Sequence, residues 1–193
     1  MTLHYSNNWE LLVAVSLSAQ CRDIMVDRVT KELFKKYKTV DDYARASLVQ
    51  MERDVKKTGF YRNKAKNIIN AAKMVRDNYN GAVPDTMEEL LTIPGVARKT
   101  ANVVLGNAFG IKEGIAVDTH VRRFAIRFDL TDHKVPIKIE RDLLEVFLKK
   151  EWFEITYRLI EYGRKYCSAR KHDCEKHPLT AVYPRAAALW PKS

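Results

Sequence analysis

Cysteine is scarce in this chain of 193 residues: Cys21, Cys167 and Cys174 are all there is. That is too few and too uneven for the disulfide framework of a secreted domain. Long apolar runs are missing as well. The most apolar stretch, residues 9–19, is about half the ~20 residues a bilayer-spanning helix needs. Residues 1–10 hold no basic segment ahead of an apolar core, so no signal peptide is expected. Period-two alternation is absent, and no Asn-Gly or Asp-Gly joins two alternating runs, which excludes a hairpin-built β fold. Acidic residues fall short of basic ones, 24 against 34, for a formal net charge of +10.

What is present is a globular composition, 46% hydrophobic and 30% charged, with no internal repeat and no low-complexity linker. The length predicts one compact unit or two small, intimately packed lobes, and it suffices to bury a core without a metal or disulfide staple. A basic surplus this large favours a polyanionic partner, nucleic acid ahead of an anionic membrane. The expectation is a protein of a reducing, intracellular compartment.

Helical spacing recurs along the chain. Asn7 and Glu10 form a start signal before a segment that is apolar nearly all round (Trp9, Leu11, Leu12, Val13, Val15, Leu17), which predicts a fully buried helix. Val26, Val29, Leu33, Phe34 and Tyr37 form the next stripe. Thr39 with Asp42, Ser47 with Gln50, and Thr86 with Glu89 read as further helix starts, while Gly59 and Asn80-Gly81 read as stops. Ala65, Ile68, Ile69, Ala72, Val75 and Tyr79 line a longer helix. Later segments open at Val117, Ile137 and Phe153. The fold class is all-α, with around nine or ten short helices, and an irregular basic tail is expected after Pro178.

The informative stretch is Leu90 to His120. Pro94-Gly95-Val96-Ala97 reads as a tight turn feeding a helix from about Arg98 to Gly110, and such a helix start offers backbone N–H groups and a positive dipole end to a phosphate. Taken alone, the turn is equally an ordinary helical hairpin. Its text, IPGVARKTANVV followed by NAFG and AVDTH, resembles the helix-hairpin-helix, Gly/Pro-rich loop and aspartate of the DNA glycosylase superfamily, and most of all its endonuclease III family. LLVAVSLSAQ, TGFYRNKAKNII, NGAVP and EYGRKYCSARKHDC extend the likeness from about Trp9 to Cys174. The resemblance implies a two-lobed helical fold with a DNA-binding cleft between lobes, residues 1–112 carrying the hairpin (94–97) and 113–193 forming a smaller lobe.

It further implies a bifunctional base-excision-repair glycosylase and abasic-site lyase that removes oxidised pyrimidines of the thymine glycol type. Lys99 matches the nucleophile of the bifunctional members; an ordinary phosphate contact is the plainer reading of a lone lysine there. Asp118 matches the essential aspartate, 19 positions on, and is also a good N-cap for the helix that follows. Gln20 matches the residue that fills the gap left by a flipped nucleotide, and Phe60 the wedge into the opposite strand, though an aromatic at 60 could equally pack in a core. Gly95, Ala97, Arg98 and Thr100 would seat the backbone phosphates, and Asp23 and His120 would line the base pocket. Residues 53–76 hold eight Lys or Arg and one acid, Asp54, a candidate phosphate-facing surface.

The chain also departs from the family. Many relatives hold an iron–sulfur cluster on Cys-x6-Cys-x2-Cys-x5-Cys; here Cys167 and Cys174 keep the first spacing, but His177 and Tyr183 occupy the other positions. No [4Fe–4S] cluster and no other metal or cofactor is expected. Cys167, His172, Cys174 and His177 are formally acceptable to zinc, but His172 and Cys174 stand only two apart, an awkward bite. Ala97 replaces a usual glycine and would be strained at positive φ. Adenine-excising relatives carry a glutamate where Ala14 stands, which disfavours that activity. A thymine or uracil mismatch glycosylase, an enzyme acting mainly on abasic sites, and a non-catalytic lesion-binding module are the alternatives. The expected partner is double-stranded DNA with damaged bases or abasic sites, met as a monomer in the cytoplasm or nucleoid, or in a nucleus, with no membrane role.

Overall fold

The computed structural model describes residues 3–170 and 172–188; among these there is no strand. No helix of the described residues is long and apolar enough to cross a membrane. The chain divides into two compact units, Met1–Ile111 and Lys112–Ser193.

The first unit contains α1 (Asn8–Ser18), α2 (Asp23–Lys36), α3 (Val40–Ala44), α4 (Leu48–Val55), α5 (Tyr61–Asn78), α6 (Met87–Thr92) and α7 (Arg98–Val104). The sequence's capping signals largely operate. Asn7 accepts from the Glu10 amide, Thr39 and Asp42 form a reciprocal capping box, and Thr86 accepts from the Glu89 amide. Ser47 is different: its side chain caps nothing, and Gln50 donates to Asp54 instead. Asp54 also accepts from Lys36 and Tyr37. Burial works against its charge, but these three donors hold its carboxyl below the usual range. As its sequence requires, α1 is buried on every side, with Leu11, Ala14 and Leu17 wholly inaccessible, and it packs against α2, α5 and α7. Trp9 meets Tyr43 edge-on at 5.4 Å, closing the core beside α3.

The second unit contains α8 (Thr119–Arg127), α9 (Pro136–Val146), α10 (Trp152–Lys165), α11 (Pro178–Val182) and α12 (Arg185–Ala188). Its core joins Ile115, Val121, Phe124, Ile139, Leu143 and Leu159 with Tyr162, Cys167 and Cys174. The expected irregular tail is corrected here. Residues 178–188 form two short helices because tertiary partners hold them: Arg127 Nε donates to the Ala186 carbonyl at 2.7 Å, and the Tyr183 hydroxyl donates to Asp129. The last part of that tail, 189–193, lies outside the described residues.

Candidate functional site

In the hairpin, α6 ends at Thr92 with Ile93 as its C-cap, and the turn closes with Val96 N donating to the Ile93 carbonyl. Gly95 sits at φ +83°, and a Cβ there would come within 2.8 Å of Asn67 Nδ2. Glycine is thus required twice, by backbone hand and by the close approach of α5. Ala97 has φ −97° and ψ 167°, ordinary extended backbone, so the glycine-to-alanine departure carries no strain. Its methyl offers no cap, unlike the oxygens at Asn7, Thr39, Thr86 and Asp118, so α7 starts with no oxygen from its own N-cap side chain. Lys99 is exposed in the first turn of α7, flanked by the half-buried Arg98 and Thr100. This helix runs on through a π-helical turn, Leu105–Phe109, and stops at Gly110 in the left-handed region.

Two further loops of this unit, like the turn at Asn80 (φ 51°), carry backbone strain. Gln20 and Phe60 are non-glycine residues with φ of 52° and 46°, conformations that cost on the order of 1 kcal/mol or more and gather at functional positions. Both side chains are exposed, Phe60 by 65%, so Phe60 does not pack in the core. Asp23 opens α2 just beyond Gln20 and is half-buried. One side chain ties the two loops together. The Lys64 ammonium, buried to 8% exposure, donates at 2.8 Å to the carbonyls of both Leu17 and Thr58. Leu17 lies three residues before Gln20, and Thr58 two before Phe60. Desolvation lowers the Lys64 pKa, with the Cys21 thiol opposing.

The basic surface over 53–76 is therefore smaller than its composition implies. Lys64 points inward, and Arg76 is engaged by Asp77 and Asp41. Arg53, Lys56, Lys57, Arg62, Lys66 and Lys73 remain exposed. Nothing in the local sequence separates Lys64 from these six; its partners are carbonyls supplied by the fold.

In the second unit, Asp118 caps α8. Its Oδ1 accepts from the amides of His120 and Val121, both at 2.8 Å, leaving Oδ2 out of the cap. The capping role read from sequence is present, and it fixes a half-buried carboxylate in one orientation. His120 stands beside it, half-buried. Burial lowers its pKa, with Asp118 opposing and Arg123 and Arg164 reinforcing the shift. Gly163 of α10, which the sequence did not single out, makes room for this ring: a Cβ there would lie 2.3 Å from His120 Nδ1 and 2.8 Å from Arg123 Nη2. Arg123 in turn donates to the Cys167 carbonyl at 2.9 Å.

Past α10 the chain gathers four metal-binding side chains. One donor atom from each of Cys167, His172, Cys174 and His177 lies within 4.8 Å of the others. The two-residue step from His172 to Cys174 is not the obstacle it looks in sequence. Residues two apart can share one side of a non-helical segment, and His172 Nε2 lies 3.3 Å from Cys174 Sγ. Tyr183 is elsewhere, bound to Asp129 and packed near Phe128.

Residues 13–149 match the family model described as HhH-GPD superfamily base excision DNA repair protein. Endonuclease III of Synechocystis sp. is 46% identical over 187 residues, covering 97% of this chain and 85% of its own. That of Bacillus subtilis is 46% identical over 181 residues, covering 93% and 82%. A solved endonuclease III, trapped as a covalent intermediate with DNA, superposes with a TM-score of 0.88 at 44% identity, covering 93% of this chain and 84% of that one. With the hairpin, the exposed lysine of its second helix and the capping aspartate all in place, the chain belongs to the endonuclease III family of the HhH-GPD superfamily.

Proposed function

We propose that this base-excision-repair DNA glycosylase and abasic-site lyase uses Lys99 as its nucleophile and Asp118 as its working carboxylate on oxidised pyrimidines of the thymine glycol type. The observation that carries the reading is Lys99 itself, exposed in the first turn of α7 within a family whose close structural neighbour forms a covalent intermediate with DNA.

The chemistry follows from these groups. A neutral Lys99 amine attacks C1′ of a nucleotide extruded from the duplex. The C1′–N bond to the base breaks, and the base leaves with the electron pair and takes up a proton. Ring opening gives a Schiff base between Nζ and C1′. Loss of a C2′ proton then expels the 3′ phosphate and cuts the strand. Asp118, with Oδ2 outside its cap, stabilises positive charge developing at the sugar. Gly95, Ala97, Arg98 and Thr100 seat the DNA backbone. Gln20 enters the gap in the stack and Phe60 wedges the opposite strand, while Asp23 and His120 face the base. The enzyme acts as a monomer on double-stranded DNA.

The test is strand cutting on duplexes that differ at one position: thymine glycol, a G·T or G·U mismatch, and a bare abasic site. Cutting at thymine glycol and at the abasic site, with the mismatches spared, supports the reading. Cutting at a mismatch in preference to thymine glycol makes this a mismatch glycosylase, and cutting at the abasic site alone makes it a lyase.

A further inference from the structure

The Cys/His cluster of the second unit takes no part in that chemistry. A [4Fe–4S] cluster binds through four thiolates, and here there are two. Of the other two positions in the usual spacing, one is His177 and the other, Tyr183, is held by Asp129. The donors also stand too close together. A cubane must fit inside its ligand cage, whereas these four atoms lie within 4.8 Å of one another. Bonds of ~2.0–2.3 Å in a tetrahedron place neighbouring ligands roughly 3.3–3.8 Å apart, and the Cys174 Sγ to His172 Nε2 distance is 3.3 Å. The residues do not fit a [4Fe–4S] cluster; they fit one ion.

We propose that Cys167, His172, Cys174 and His177 bind a single tetrahedral Zn²⁺. Two thiolates and two imidazoles form a closed structural set, and two thiolates neutralise the ion's charge. The surroundings are built as metal-site surroundings are. Arg127, itself 3% exposed, donates from Nη1 to Cys167 Sγ at 2.9 Å, in the manner of a cation supporting a thiolate. The Cys167 carbonyl accepts from Arg123. The Cys174 carbonyl accepts from the His177 amide and the Thr180 hydroxyl, fixing the turn that aims both side chains inward. His177 Nδ1 is buried with no hydrogen-bond partner among the described residues, a cost that coordination by that ring nitrogen would remove. The His172 and His177 rings face each other at 4.9 Å. Because Arg127 also holds the Ala186 carbonyl of α12 and Thr180 of α11 holds the Cys174 carbonyl, the ion pins α11 and α12 to the core of their unit.

Metal analysis of the full chain, purified without chelator, tests this directly. One zinc per chain, without iron or acid-labile sulfide, is expected. In the metal-stripped protein Co²⁺ should give intense tetrahedral bands and a thiolate charge-transfer band, both abolished by one equivalent of Zn²⁺. Cys174→Ala and His177→Ala should weaken Co²⁺ binding by more than the roughly 10–100-fold that loss of an outer partner costs. Cys21→Ser and Tyr183→Phe should leave the spectrum unchanged. Iron with sulfide, a Co²⁺ spectrum lacking tetrahedral bands, or dependence on Tyr183 overturns the proposal. The wild-type titration decides the matter even if a ligand variant fails to fold.

Discussion

Replacing Lys64 by Met removes a group that binds both loops while keeping the length of the stem. The two carbonyls it leaves belong to Leu17, wholly inaccessible, and Thr58, 2% exposed. A buried acceptor without a donor costs about 1–3 kcal/mol, giving roughly 2–6 kcal/mol for the pair. Burying the Met terminus and sparing the desolvation of an ammonium offset part of this. The expected net loss is about 2–4 kcal/mol, or a fall in Tm of about 4–16 °C for a chain of this size. Thermal unfolding followed by circular dichroism measures it. A structural role alone would end there. Because the bonds hold the backbone beside Gln20 and Phe60, Lys64→Met should also bind lesion-containing duplex more weakly at temperatures where it is fully folded. An unchanged Tm would refute the burial argument, and a lowered Tm with unchanged DNA affinity would refute the positioning argument.

Other substitutions divide folding from binding. Phe60→Ala should leave stability within about 0.5 kcal/mol, since the ring is exposed and an exposed side chain contributes little, yet reduce duplex affinity in a fluorescence anisotropy titration. Gly95→Ala should destabilise by at least 1–2 kcal/mol, the ordinary cost of a left-handed Cβ, because that Cβ also meets Asn67; Ala97→Gly, at negative φ, should change denaturant midpoints very little. For His120 the folded pKa lies below the unfolded value near 6.5, so both states are neutral above that pH and its contribution is complete. As pH falls below 6.5 the unfolded chain takes up the proton first and stability declines until the folded pKa is passed. His120→Gln should flatten this slope in urea unfolding curves taken at successive pH values below about 6.5.

Local chemistry was the readable part of this sequence. Asn7, Thr39, Thr86 and Asp118 cap the helices they precede because capping needs only a short side chain and the next turn of backbone. The apolar wrap of α1 announced its burial in the same way. Ser47 caps nothing, and the side chain of Gln50, its expected partner, goes instead to Asp54, whose other donors come from α2 and the residue that ends it. Lys64 looked like one more surface cation, since its partners are carbonyls brought to it by tertiary structure. The helices after Pro178 were hidden for the same reason: Arg127 and Asp129 hold them from far upstream. Lys99 and Asp118 are proposed from the pattern of a whole segment, whereas the Cys/His cluster depends on how the chain past α10 bends, which spacing alone does not reveal.

A covalent bond between Lys99 and C1′ of the damaged nucleotide is captured by borohydride reduction of the Schiff base. Wild type and Lys99→Gln would be incubated with thymine glycol duplex and with abasic duplex in the presence of borohydride, then resolved by denaturing electrophoresis. A protein–DNA adduct from both substrates with wild type, mapped by peptide mass to residue 99 and absent from a variant that still binds DNA, is the predicted result. An adduct that survives Lys99→Gln, or that maps to another amine, would contradict it.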